Sequence, residues 1–487
     1  MNTKIIKRIQ IAVLFLLPLI SMAQHPAGQP LPPAESKMRL QQLGDSMRKY
    51  DTFYSFDRNG LAVVASRSKT ASGESISRFG LVNEKGELQL PCEHDYIFQQ
   101  NHSDLILVSN GGLAGFVNPQ MHWVIPMKYQ DIYSDLETDD CFLFGLVEVV
   151  DSFDKWGVLD STGRQILPCQ YDWVSILTPN LFSVNLDGKY GVVNRNGEAV
   201  IPIIYSGLRF SDRYDHYDGY IVAEYNNKQG VIDTMGNIVI PFQYELVGFS
   251  LNGSHFPVCE NYKWGVVDTT GEILIPCTYK EYLYEGVPGL WVYKQYVRGD
   301  SKLGVINIHG DVVLPCENDM IHFSKSGDKI LAVRSYSLDN EKCYLYNLSG
   351  TLLDSLDGFS YDWMDEICHV TMIPVKRDGK WGFFNLEFQL IVPFRYDNAS
   401  GYNGYGMVAL PDNQTALLNE RGEVLLKLPF KFNNTFVTPC INGWYHLHYN
   451  DVQTPRPPKP LELFGFIDIY GNSTFTKEEW GRMKSYR

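Results

Sequence analysis

Apolar and polar positions recur along this chain in one frame. Lys155-Trp156-Gly157-Val158-Leu159 is followed by Asp160-Ser161-Thr162-Gly163, and a second apolar run then closes on Ile166-Leu167-Pro168-Cys169-Gln170-Tyr171. The same order returns from Lys263-Trp264-Gly265 to Pro276 and Tyr279, and from Trp381-Gly382 to Pro393 and Tyr396. It returns again from Tyr190-Gly191 to Tyr205 and from Gln229-Gly230 to Tyr244. Counted from the first Gly, a second Gly stands at +6, a Pro at +11 and a Tyr at +14. Weaker copies start at Gly80, Gly115 and Gly304, and degraded ones at Tyr344, Ala416 and Gly465. Gly80 to Gly465 covers ten steps of about 38 residues each, so about eleven copies are present.

Each copy has a physical reading. The Trp-Gly-Val-Val-Asp segment is predicted as a strand, and Asp/Asn-x-x-Gly as a hairpin turn whose Asx side chain caps the backbone while Gly takes positive φ. The run ending at Pro is the return strand, with Pro where no ladder donor is needed. A further strand precedes the frame in many copies, as in Gly60–Val64 and Gly219–Ala223. Consecutive apolar residues such as Ile273, Leu274 and Ile275 break simple alternation, so both faces of each small sheet are expected to be covered by neighbouring repeats.

The Trp-Gly pairs at Trp156-Gly157, Trp264-Gly265 and Trp381-Gly382 make the chain resemble the WG-repeat family over roughly residues 56–475. Tyr190, Gln229 or Leu303 replaces the Trp in some copies, and Ser355 and Lys427 stand where the Pro is expected. The resemblance implies exported or envelope-associated β-repeat proteins that mediate interactions, with no catalytic residues to carry over. The expected fold is all-β: a tandem array over 51–475 stacked like a β-solenoid, with one or two β-propellers as the alternative. Eleven units exceed the usual four to eight blades of a single ring.

The ends differ from the array. Lys4, Lys7 and Arg8 precede an apolar run, Ile9–Ile20, and Ser21-Met22-Ala23 supplies a cleavage site, so 1–23 reads as a signal peptide. Its removal takes the net charge from −14 to about −17 through the loss of those three cations. That charge argues against nucleic acid as a partner, and no later segment is apolar enough to span a bilayer. Residues 24–50 form a Pro-rich linker and a short amphipathic helix through Met38, Leu40, Leu43 and Met47. Thr454–Pro460 is an extended insertion. Residues 476–487 are read as a capping helix and tail, with Thr476 and Glu479 as a capping box. The mature protein is expected outside the cytoplasm, in the periplasm or beyond.

Candidate chemistry is sparse. Trp156, Trp264 and Trp381 are expected in the core, whereas Trp173, Trp291, Trp363 and Trp444 lie off the frame and are the candidate contact residues. The Asx turns at Asp160, Asp233, Asp268 and Asp468 each offer one carboxylate, which suits capping better than calcium. The acidic runs at Asp135–Asp140 and Asp212–Asp218 are richer in oxygen, and His446 and His448 share one strand face, without a third metal ligand. Cys92, Cys169, Cys277 and Cys316 follow a proline at a position that Met127, Ile203, Phe242 and Phe394 also occupy, so free packed thiols are expected. No nucleophile elbow, zincin, Walker or dinucleotide motif occurs, and no cofactor or metal is expected. The expected function is non-catalytic binding of a protein partner of the cell envelope. Glycan or peptidoglycan binding through off-frame aromatics is the alternative, and a β-repeat hydrolase or lyase the third.

Overall fold

The computed structural model describes residues 30–69, 73–100, 102–132, 140–210, 219–249, 253–297, 299–335, 341–359, 371–402, 405–410, 414–428, 435–450 and 462–480. They form eleven antiparallel sheets in chain order. Sheets 1 to 6 span 52–94, 96–129, 131–171, 173–205, 207–244 and 246–279. Sheets 7 to 11 span 284–318, 320–356, 358–396, 399–428 and 435–468. Ten are four-stranded meanders and sheet 11 has three strands. The all-β repeat array read from the sequence is therefore present, and each repeat frame supplies the third and fourth strands of one sheet, except in sheet 11, where it supplies the third alone.

The frame's fixed positions follow from one irregularity. In sheet 6, Trp264 pairs with Tyr279 and Val266 with Ile275, so only Gly265 faces a bulge of Pro276, Cys277 and Thr278. The bulge presses on the glycine: a Cβ at Gly265 would lie 2.5 Å from the Ile275 carbonyl oxygen. At Gly157 and Gly382 the same contact would be 2.8 Å and 2.5 Å. Eight sheets share the bulge. Sheets 8 and 10 do not: Tyr344 pairs directly with Ser355, and Ala416 with Lys427. Where the glycine is lost the proline is lost too, and the ladder runs straight.

The Asx turn is more regular than the sequence suggested. In every sheet an Asp or Asn oxygen accepts the N–H groups two and four residues on, from Asn83 in sheet 1 to Asp468 in sheet 11. The residue at +6 has positive φ even where it is not glycine, as at Met121 and Phe388.

Packing between sheets is face to face. Val266, Ile275, Trp291 and Ile306 join sheets 6 and 7; Val158, Leu167, Val174 and Phe182 join sheets 3 and 4. Equivalent clusters link every consecutive pair, and the frame's Tyr171, Tyr205, Tyr244 and Tyr396 are buried in them. An eleventh cluster joins sheet 11 back to sheet 1. There Trp444 and Phe466 meet Phe53, Phe56, Ala62 and Val64. His446 Nε2 lies 3.1 Å from the Phe53 carbonyl oxygen across the same junction. The packing cycle is thus closed, which decides between the open stack and the ring in favour of a single ring of eleven blades.

Helix α1, Pro33–Met47, seals the junction. Its Leu40, Leu43 and Met47 enter the closing cluster, and Ser36 donates to Asp468 Oδ2 at 2.6 Å while accepting from Trp444 Nε1 at 3.0 Å. At the other end, Thr476 N–H donates to the Glu479 carboxylate and Glu479 N–H donates to Thr476 Oγ1, which completes the predicted capping box. Trp480 then packs on Phe475.

Two outcomes test this account. Gly265→Val should lower stability by about 2–4 kcal/mol, because the bulge leaves no room for a side chain; an unchanged melting temperature would refute the packing argument. Leu43→Ala should cost about 2–5 kcal/mol by opening a cavity in the closing cluster, read in the same thermal scan.

Candidate functional site

The meander topology sorts the turns. Hairpins between second and third strands lie at the same end of each sheet as the connectors to the next sheet. The Asx turns and the connections from first to second strands lie at the opposite end. The first of these rims is built by a recurrent latch. The residue before each Trp-Gly faces the residue after the frame's Tyr, and in sheets 3, 5 and 7 these are Lys155 and Asp172 (2.6 Å), Lys228 and Glu245 (3.1 Å), and Lys302 and Asp319 (2.5 Å). Arg78 and Asp95 in sheet 1, and Lys380 and Asp397 in sheet 9, make the same pair. The acid also reaches forward, since Asp95 accepts Gly111 N–H and Asp172 accepts Asp187 N–H, each at 2.7 Å. One carboxylate thereby ties a blade's own edge to the hairpin of the next. The hydrogen bond from Lys155, with Asp187 N–H behind it, holds the Asp172 carboxyl below the usual range.

At this rim the second-to-third-strand hairpins carry exposed aromatics on blades 3, 5, 6 and 7. Phe153 in sheet 3 is 81% exposed, Tyr262 in sheet 6 is 86% and Tyr296 in sheet 7 is 65%, with Tyr225 of sheet 5 also exposed. Trp173, the residue after Asp172, sits at the same rim, 36% exposed and edge-on to Tyr190 at 6.3 Å. Nothing in the sequence frame marks these tips, because they fall between the repeat's fixed positions.

The other off-frame tryptophans lie elsewhere. Trp291 and Trp444 are fully buried, so the expectation that they present an exposed face is corrected. Each stands on the second strand of its sheet, where both faces are covered: Trp291 between sheets 6 and 7, Trp444 in the ring closure. Trp363 lies outside the described residues. Trp156, Trp264 and Trp381 are half-buried at the margins of the inter-sheet clusters, and Pro168, Pro276 and Pro393 are exposed on the edge strand.

The candidate metal positions have other uses. His446 and His448 are buried and stack on Phe464 at 6.3 Å and 4.2 Å, and burial pulls the His446 pKa down to about 4. Asp140, the described end of one acidic run, accepts from both His102 N–H (2.9 Å) and the His102 ring (2.5 Å). Asp135, Glu137 and Asp139, and the run at Asp212–Asp218, lie outside the described residues. No cluster of three or more metal-type ligands occurs among the described residues. Cys92, Cys169, Cys277 and Cys316 are free thiols, and burial raises the Cys440 thiol to about 12.

The family model for the WG containing repeat matches at residues 115–135, 156–190, 190–228, 230–264, 264–284 and 381–409. This is a WG-repeat protein. The matched segments carry the Gly, the Asx turn and the Pro bulge described above. No curated protein matches the chain. Among solved structures, a eukaryotic initiation factor aligns at 8% identity and TM-score 0.35, over 63% of this chain and 87% of that one. Dihydro-heme d1 dehydrogenase NirN aligns at 13% and 0.27, over 63% and 76%. Hsv2p of Kluyveromyces lactis aligns at 10% and 0.24, over 60% and 96%. At these scores the WG-repeat ring borrows no function from them.

The Asx turns of this WG-repeat protein carry a pH signature. In Asp268 the hydrogen bond from Thr270 outweighs partial desolvation and, with backbone N–H donors, holds the carboxyl below its ordinary value; Asn237 does the same for Asp233. A depressed folded pKa stabilises the protein above about pH 3.9, and that contribution is lost as pH falls through the folded value. Asp268→Asn should therefore flatten the acid limb of the melting-temperature profile and leave neutral pH little changed. An acid limb identical to that of the unaltered protein would count against the assignment.

Proposed function

We propose that this WG-repeat protein is a non-catalytic binding protein of the cell envelope or extracellular space, and that the rim of second-to-third-strand hairpins receives a protein partner. The observation that carries this reading is the run of exposed aromatic tips, Phe153, Tyr225, Tyr262 and Tyr296, on blades 3, 5, 6 and 7. Exposed aromatic side chains at a rim supply large contact area at low entropic cost when a partner covers them. The rim latches hold the hairpins in place, so little ordering remains to be done on binding. The export signal read at Lys4–Ala23 supports placement outside the cytoplasm.

Glycan binding keeps one specific support. Trp173 is exposed beside Tyr190 at this rim, an arrangement on which a sugar ring could stack. The two readings separate in one experiment, crosslinking of the tagged mature chain in its own cell envelope followed by capture and mass spectrometry. A reproducible protein, lost when Phe153 and Tyr262 are both replaced by Ser, is the expected result. Recovery of envelope glycan alone, with Trp fluorescence quenched by it, would transfer the function to Trp173.

A further inference from the structure

Blade 6 breaks the rim's own rules in two adjacent places. In five other blades the residues facing each other beside the Trp-Gly position are a cation and an acid. In blade 6, Trp264 pairs with Tyr279, which sets Lys263 directly opposite Lys280. Both are exposed. Like charges directly opposite on neighbouring strands are unfavourable. The nearest acids along the chain are Glu260, across the hairpin from Lys263, and Glu281, beside Lys280. Among the described residues neither ammonium has a carboxylate in ion-pair contact.

The second irregularity is the hairpin itself. Asn261 and Tyr262 have φ of 53° and 58°, a two-residue turn with both central residues left-handed. Blades 2, 4 and 9 place Gly112, Gly188 and Gly379 at the second of these positions, and blade 5 places Asn227. Blade 6 alone among these puts a bulky aromatic there, where an L side chain is strained, and points it into solvent. The turn is held by its two flanking strands, in which Glu260 pairs with Lys263 and Cys259 with Trp264. Local choices that disfavour the fold, gathered at one exposed spot, mark a surface retained for contact.

Resting on the reading of the rim as a protein-binding surface, we propose that Tyr262, Lys263 and Lys280 receive an extended acidic segment of the partner. A partner carboxylate would lie between the two ammonium groups, in the place that the repeat's own Asp or Glu holds in other blades. An apolar residue next to it would cover the Tyr262 ring.

The test uses the full mature chain and a fluorescein-labelled peptide of alternating Glu and Val, read by anisotropy, with the Gln-for-Glu peptide as control. The acidic peptide should bind at least ten-fold more tightly than its Gln counterpart. Lys280→Asp restores the latch, so it should raise the melting temperature and weaken peptide binding at least ten-fold. Tyr262→Gly relieves the turn and should likewise preserve folding while weakening binding. Unchanged affinity in Lys280→Asp, or no binding by the unaltered chain, would overturn the proposal. Displacement of the peptide by millimolar inorganic phosphate would also overturn it, by making the lysine pair a simple anion site. Envelope capture keeps the two levels apart. A partner captured equally by the unaltered chain and by Lys280→Asp leaves the binding reading standing and places the contact on another blade.

Discussion

Each sheet in this protein is apolar on both faces, so no sheet can serve as an end. Val266 and Val267 are neighbours on one strand, point to opposite faces, and are both fully buried. An open stack of such sheets would leave one apolar face bare at each terminus. Closing the cycle removes both ends at once, and the junction between sheets 11 and 1 accordingly resembles the other ten in its apolar packing. What distinguishes it is that chain connectivity does not bridge it. Helix α1 takes over that task, with the buried Ser36 hydroxyl passing a hydrogen bond from Trp444 to Asp468. Asp468 also caps the Asx turn of its own sheet, so one carboxylate serves the local turn and the closure of the whole ring.

The second constraint lies at the edge strands. A ring of separate sheets exposes many edges, each with unpaired backbone groups able to recruit another strand. The repeat answers with a proline that removes a donor and a bulge that bends the edge, and the glycine opposite exists to make room for that bulge. Sheets 8 and 10 lack the device and blunt their edges differently. Ser355 N–H is bonded to the Asp354 carboxylate at 2.8 Å, and sheet 10 carries the exposed Lys427 on its edge strand. Glycine, proline and bulge therefore behave as one unit that is kept or discarded together.

This explains which parts of the structure were legible in the sequence. The strands, the Asx turns and the terminal capping box follow from local chemistry at fixed spacing, and local chemistry is what a sequence displays. Ring closure was not legible, because it depends on Ser36, Phe53, Trp444 and Asp468 meeting across more than 400 residues. The off-frame tryptophans misled for a related reason: lying outside the repeat frame says nothing about exposure when second strands are covered on both faces, as at Trp291. The rim signal was present in the sequence only as a spacing. Lys155 and Asp172, Lys228 and Glu245, and Lys302 and Asp319 are each seventeen residues apart, and that interval gains meaning once the bulged register sets its two ends side by side.

The same register explains where such a ring can vary and why one blade can differ from its neighbours. The sheet interiors are fixed by packing on two sides, so a change there costs stability wherever it occurs. The edge strands are committed to avoiding association. Hairpin tips and latch positions are under neither restraint, since each touches only its own blade and the next. A repeat protein can therefore vary them blade by blade without disturbing the ring. Five blades use that freedom conservatively, filling the latch with an ion pair that screens its own charge. Blade 6 leaves two cations facing each other under a strained tyrosine, an arrangement that costs the free protein stability and becomes favourable only when an outside carboxylate completes it.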